Sequence, residues 1–127
     1  MTTIIVAAAV VERDGRILVT RRIKGTHLEG YWEFPGGKCE AGEALDMCLN
    51  RELREELAVD AVVGKTLLST THAYRERTVV IHFFSVTLLG EPTPQLGQEM
   101  QWIRREHLPT LKLPPADDEL VALLQAP

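Results

Sequence analysis

From Ile4 to Val11 every residue is apolar, and nearly all are β-branched or small. A run of this kind suits a strand buried on both faces rather than one that alternates. Glu12 closes it, and Arg13-Asp14-Gly15-Arg16 follows as a tight turn, because Asp-Gly favours positive φ. Ile17 to Thr20 predicts the return strand, which ends in Arg21-Arg22. Neighbouring strand residues point to opposite faces, so one of these arginines is solvated and the other is placed either to face a pocket or to pair at the surface; the pattern alone does not choose. Ile23 to Gly30 is a polar loop punctuated by Gly25 and Gly30. Tyr31 to Phe34 predicts a short strand with Trp32 and Phe34 on one face, running into a Pro35-Gly36-Gly37 turn.

The period then changes. Leu45, Leu49, Leu53 and Leu57 recur every fourth residue and predict an amphipathic helix with one core-facing stripe. Beside that stripe Glu52, Glu55 and Glu56 stand at i, i+3 and i+4 and share a face. Asp60 to Ala73 and Thr78 to Leu89 predict two long strands joined by the charged connection Tyr74-Arg75-Glu76-Arg77. Gly90 to Pro94 breaks the second, and a loop leads into a short strand around Trp102-Ile103. Glu106 to Pro109 predicts a helical turn. The chain closes on a helix whose apolar side is Leu120, Val121, Leu123 and Leu124, with Asp117 or Asp118 as a good N-cap. The order β, β, short β, α, β, β, β, α implies an α/β layered structure in one domain, residues 1–127.

Composition narrows the class. The 127 residues are 45% hydrophobic and 25% charged, ordinary for a globular domain, and the net charge is −4. That balance argues against a partner made of nucleic acid polymer, which calls for a basic face, but leaves room for a single nucleotide. No apolar run spans a bilayer and no basic, cleavable leader opens the chain, so neither a membrane nor an export route is expected. Two cysteines make no disulfide framework, so Cys39 and Cys48 read as reduced thiols of a cytoplasmic protein, Cys48 as a small packing residue and Cys39 as a loop residue. His72 and His82 read as structural, and no His/Cys spacing suggests zinc.

The acidic helix is the chemical anomaly. Like charges one turn apart repel, and Glu55 and Glu56 lie near the helix C-terminus, where the macrodipole disfavours anions. Arg51 and Arg54 offset part of this. A hard divalent cation is the natural compensator, since Mg2+ prefers carboxylate oxygens and completes its shell with water and substrate phosphates. The alternative is a solvated acidic face.

The spacing decides between them. Gly37, Glu43, Arg51-Glu52-Leu53, Glu55-Glu56 and the apolar Val59 match the Nudix box at every fixed position except its last glycine, which is Ala58 here. The chain therefore resembles the Nudix hydrolases. Thr20-Arg21-Arg22, the Trp32 to Lys38 approach and Pro114-Pro115-Ala116-Asp117 are similar to the MutT-type branch, nucleoside triphosphate pyrophosphohydrolases that include sanitisers of oxidised dGTP and relatives acting on CTP. The resemblance implies the Nudix fold, a mixed sheet sandwiched between helices. It also implies Mg2+, with Mn2+ as a substitute, held by Glu52, Glu55, Glu56 and the carbonyl of Gly36. The water's proton goes to Glu52 or to a downstream glutamate, for which Glu99 is the nearest candidate; the MutT spacing calls for an acid directly before Trp102, where this chain has Gln101. Glu43 and Arg51 are implied to form a supporting ion pair, and Arg22 and Lys38 to contact phosphate. Arg22, His27 and Phe34 match positions lining the base and sugar site. Asp117 stands where the oxidised-guanine type has an amide and several CTP-preferring relatives have an acid, which tilts the expectation toward pyrimidine or broad specificity. Without its glycine the helix is expected to end differently at Ala58. The expected partner is a small nucleotide, and monomer and homodimer both remain open. Other readings are a Nudix enzyme for nucleotide sugars or dinucleoside polyphosphates, which an insertion would favour, and a noncatalytic nucleotide-binding domain, which lost box glutamates would favour.

Overall fold

The computed structural model describes residues 2–126. Strand β1 (Thr2–Arg13) is the axis of the molecule, pairing with three others. Its final residues meet β2 (Arg16–Arg21) across the Asp14-Gly15 turn, where both residues take positive φ. Its middle pairs antiparallel with β4 (Gly36–Lys38), and most of its length runs parallel to β6 (Arg77–Leu88). On the outer side, β6 pairs antiparallel with β5 (Ala61–Ala73), with register shifts between Val63 and Leu68. β2 also carries β3 (Trp32–Glu33) and β7 (Met100–Arg104), completing a seven-stranded mixed sheet.

The unbroken apolar run of β1 is explained by what covers it. Ala7, Ala9 and Val11 face one core with Leu18, Phe84 and helix α1 (Leu45–Leu57), whereas Ala8 and Val10 face a second core with Ile17, Phe34, Phe83 and helix α2 (Asp118–Gln125). From α1, Leu49, Leu53 and Leu57 are fully buried, each contributing about 1.5–3 kcal/mol. Cys48 joins that stripe, and Leu45 packs at its edge, half-buried. Helices on both faces of a mixed sheet give the expected α/β sandwich.

Three expectations are corrected. The Pro35-Gly36-Gly37 turn continues into a strand, β4, because Gly36 at φ +152° lets the chain lie against Ala7 and Ala8, where a side chain would strike the Ala7 carbonyl. Helix α1 does end in the left-handed conformation: Ala58 sits at φ 52° and ψ 42°, donating its N–H to the Arg54 carbonyl at 3.0 Å. Other contacts hold the strained end, with Thr93 N–H on Leu57 O at 2.8 Å, Gln95 N–H on Glu56 O at 2.9 Å and Gln98 Nε2 on Glu56 O at 3.0 Å. Third, Cys39 and Cys48 are not separate thiols but a disulfide, with Cα atoms 5.3 Å apart.

Candidate active site

Glu52 and Glu56 lie on the face of α1 beneath β4. Gly37 has no side chain because there is no room for one: a Cβ there would collide with the Glu52 carboxyl. The strand thus passes directly over the carboxylates, bringing Gly36 and Gly37 to Glu52 and Glu56. Glu56 accepts a hydrogen bond from the Gly36 backbone. Burial pushes its pKa up to about 8, and the neighbouring charges of Glu33 and Glu52 add to this. Glu52 is also raised, first by burial, with Glu55 and Glu43 adding to it against the lowering effect of Arg51. Glu55 is more exposed and shares Arg51 with Glu52.

Arg51 organises the approach to this cluster. Its Nε and Nη2 grip the Glu43 carboxylate at 2.7 and 2.9 Å, its Nη2 also reaches the Lys38 carbonyl at 3.0 Å, and its Nη1 contacts Glu52 at 3.0 Å. One guanidinium fork therefore ties loop, strand end and helix together, a geometry lysine cannot supply. The bond from Arg51 holds the Glu43 carboxyl down to about 2, helped by a backbone hydrogen bond from Glu40. Glu43 and Arg51 thus form the supporting ion pair that the resemblance implies.

A cavity of about 420 Å³ opens beside β4, lined among others by Arg22, His27, Glu33, Phe34, Lys38 and Asp117. All five residues expected to meet substrate therefore share one pocket. Phe34 is buried at its wall, edge-on to Phe83 with centroids 6.0 Å apart. Of the two adjacent arginines, Arg22 faces inward and pairs with Glu33 at 3.0 Å. Arg21 faces out, against Trp32 and Glu99. Asp117 is only 6% exposed, and although it occupies the N-cap position of α2 its side chain makes no capping hydrogen bond. Burial, with the charges of Glu33 and Asp118, pushes it up to about 7. In its protonated form this carboxyl can donate as well as accept.

Two findings differ from the sequence reading. Glu99 does not join the carboxylates: its side chain is 63% exposed and paired with Arg21 at 3.0 Å. Gln98 turns inward instead, into a smaller cavity of about 210 Å³ that also holds Arg22, Glu33 and Glu56. The carboxylate that does join is Glu33, whose pKa burial raises while Arg22 opposes the rise. Its signal was an acidic residue inside an otherwise aromatic strand, between Trp32 and Phe34.

Several carboxylates with elevated proton affinity, crowded at a cavity edge, form an oxygen-only donor set suited to a hard divalent cation. Glu52 and Glu56, with Glu33 beside them, have the donor chemistry such an ion takes, and the repulsion of Glu33 and Glu52 on Glu56 is what it would relieve; Glu55 stands more exposed, on Arg51.

The comparisons agree with this geometry. A family model described as the NUDIX domain matches residues 6–123. A CTP pyrophosphohydrolase of Escherichia coli (strain K12) is 36% identical over 127 residues, covering 99% of this chain and 94% of the relative. An 8-oxo-dGTP diphosphatase of Haemophilus influenzae is 33% identical over 118 residues, covering 91% and 87%. The solution structure of the E. coli ORF135 protein superposes with a TM-score of 0.86 at 36% identity, over 96% of this chain and 88% of that one. The crystal structure of a MutT NUDIX hydrolase from Burkholderia pseudomallei gives 0.85 at 25% identity, over 96% and 98%. With its box glutamates gathered under β4 and the family match spanning both cores, the chain belongs to the Nudix hydrolases, in their MutT-like group.

Proposed function

We propose that the protein hydrolyses nucleoside triphosphates, including oxidised or otherwise modified ones, to the nucleoside monophosphate and pyrophosphate, and so cleanses the nucleotide pool of the cytoplasm. The observation that carries this is the junction of two sites. Glu52 and Glu56 lie against Gly36 and Gly37, and the same two glycines line the cavity that holds Phe34 and Asp117. A base seated between Phe34 and Asp117 directs its phosphates along β4 to the carboxylates. The printed activities of relatives aligned along nearly the whole chain support the same substrate class.

Nudix hydrolases need a divalent metal. We take it to be Mg2+, which Mn2+ replaces, held by Glu52, Glu55, Glu56 and the Gly36 carbonyl. When bound, the ion neutralises phosphate charge and makes the β-phosphorus open to attack. The protein supplies the rest. Lys38, and Arg22 when released from Glu33, meet phosphate oxygens. Arg51 holds Glu52 in place. Water attacks the β-phosphorus, the bond to the bridging oxygen of the α-phosphate breaks, and the monophosphate leaves with that oxygen. Glu52 accepts the proton of the water. Its burial raises its basicity, which favours this role at neutral pH. Glu99, exposed and paired with Arg21, is left outside the reaction.

Asp117 reads the base edge. Neutral, it donates one hydrogen bond and accepts another; ionised, it accepts only, as from the amino group of cytosine. Pyrimidine or broad specificity follows, with oxidised guanine retained among the substrates. A panel of normal and oxidised nucleoside triphosphates, ranked by kcat/KM with pyrophosphate detection, tests this. Pyrophosphate from CTP or from 8-oxo-dGTP is expected; release of inorganic phosphate alone refutes the proposal.

A further inference from the structure

The cysteine pair is the feature the hydrolytic site leaves unused. Cys39 directly follows β4, and Cys48 lies in the first turn of α1, one turn before Glu52. Their bond therefore joins the two segments that meet at the carboxylate cluster, the strand bearing Gly36 and Gly37 and the helix bearing Glu52 and Glu56. Cys48 is fully buried, with its Sγ 3.9 Å from the Gly37 carbonyl. Cys39 is half-buried and borders a surface cavity with Lys38, Glu40, Glu43 and Leu45. A small molecule thus reaches Cys39 and not Cys48.

The same two segments are joined a second time without sulfur. Arg51 of α1 reaches the Lys38 carbonyl of β4 and grips Glu43 between them, while the Cys39 N–H, donating to the Ile5 carbonyl at 2.8 Å, holds the end of β4 to β1. Breaking the disulfide leaves strand and helix connected, so the two cysteines can exchange between dithiol and disulfide without loss of fold. With Cα atoms 5.3 Å apart the bond forms without backbone movement.

We propose that Cys39 and Cys48 form a reversible redox site that clamps the catalytic strand to the metal-holding helix, with a hydroperoxide as oxidant. The Cys39 sulfur attacks the peroxide, its S–O bond forms as the O–O bond breaks, and water leaves with the thiol proton, giving a sulfenic acid. The Cys48 sulfur then attacks Cys39; the S–S bond forms, the S–O bond breaks, and a second water carries off the remaining thiol proton. Two thiols lose two electrons and two protons while a peroxide becomes two waters, or water and an alcohol. A small dithiol reverses the step by exchange. The oxidised chain holds Gly36 against Glu52 and Glu56 with less freedom, which raises thermal stability and tightens the hold on a divalent ion. The metal half of this inference rests on the proposed function.

The test uses the full chain, reduced with a phosphine and then treated with hydrogen peroxide. Alkylation after unfolding in denaturant, followed by mass spectrometry, is expected to find two free thiols before treatment, none after, and a chain lighter by two hydrogens. Oxidation is expected to raise Tm by about 5–10 °C without metal, the size expected from closing a loop of about ten residues in a domain this small. Calorimetric titration with Mg2+ is expected to show half-saturation at a several-fold lower concentration. In Cys39→Ser both differences vanish, and Tm stays near that of the reduced parent; in Cys48→Ser no crosslink forms, and in that variant alone Cys39 gains one oxygen from the peroxide. Oxygen added to the chain in place of the lost hydrogens overturns the redox site, as does an equal Tm in both states. A crosslink that leaves the Mg2+ titration unchanged overturns the clamp. No Mg2+ binding in either state, with the crosslink and Tm shift intact, removes the metal half together with the proposed function and keeps the redox site.

Discussion

Replacing Asp117 by Asn separates charge from shape in the cavity beside β4. In the folded chain this carboxyl keeps its proton up to a pH of about 7, against 3.8 when free, chiefly because it is buried. The difference is about three units, and at about 1.36 kcal/mol per unit it amounts to about 4 kcal/mol. That figure is an upper bound, because water entering the cavity relaxes the charged form; about 2 kcal/mol is the working expectation. The sign follows from proton counting. Below pH 4 both folded and unfolded chains hold the proton, and Asp117 costs nothing. Between pH 4 and 7 the unfolded chain has released it and the folded chain has not, so stability falls as pH rises. Above 7 the penalty is complete and constant. Asn has a similar size, stays neutral throughout, and sacrifices no helix cap, since Asp117 makes no capping hydrogen bond. Urea unfolding followed by circular dichroism at several pH values between 4 and 8.5 reads the difference directly. Asp117→Asn should match the parent near pH 4 and exceed it by about 2 kcal/mol at pH 8.5. A difference that is the same at both ends, or one that grows in the parent's favour with rising pH, refutes the reasoning. Because Glu33 contributes to the shift, adding Glu33→Gln should reduce the gain from Asp117→Asn.

Other outcomes follow from the same geometry. Glu52→Gln and Glu56→Gln should each cut kcat by about two orders of magnitude or more while Tm is kept or raised, because each removes a buried like charge; steady-state kinetics and calorimetry check both. Ala58→Gly should stabilise the chain by about 0.5–1 kcal/mol in urea unfolding, since glycine adopts φ 52° without the steric cost that alanine bears there. Glu99→Gln should leave kcat within about threefold of the parent, because this side chain is exposed and held by Arg21; a loss like that of Glu52→Gln would restore it to the reaction.

Much of this was legible because local rules and tertiary demands coincide. The apolar run from Ile4 to Val11 reads as doubly buried, and both cores do press on it. The leucine stripe and the glutamate face of α1 follow from one period. What could not be read depends on contacts between distant segments. The parallel pairing of β1 with β6 leaves no mark on either strand. Glu33 gives a weak signal in sequence and becomes informative only when Glu56 and Arg22 come beside it. Cysteine counting treated Cys39 and Cys48 as a loop thiol and a core thiol, yet β4 and the first turn of α1 bring them together. Ala58 was expected to alter the helix end, but contacts from residues 93–98 hold it in the conformation glycine would take. Glu99 is the nearest acid before Trp102 in sequence, but the chain turns Gln98 inward at that point and leaves Glu99 on Arg21.

The claim that phosphates run along β4 to the glutamates of α1 is tested most directly by hydrolysing CTP with Mg2+ in heavy-oxygen water and weighing the products. The label should appear in pyrophosphate, with an unlabelled monophosphate beside it. Label in the monophosphate, or in free inorganic phosphate with a diphosphate remaining, would mean that water attacks elsewhere on the chain of phosphates and that the site orients its substrate differently.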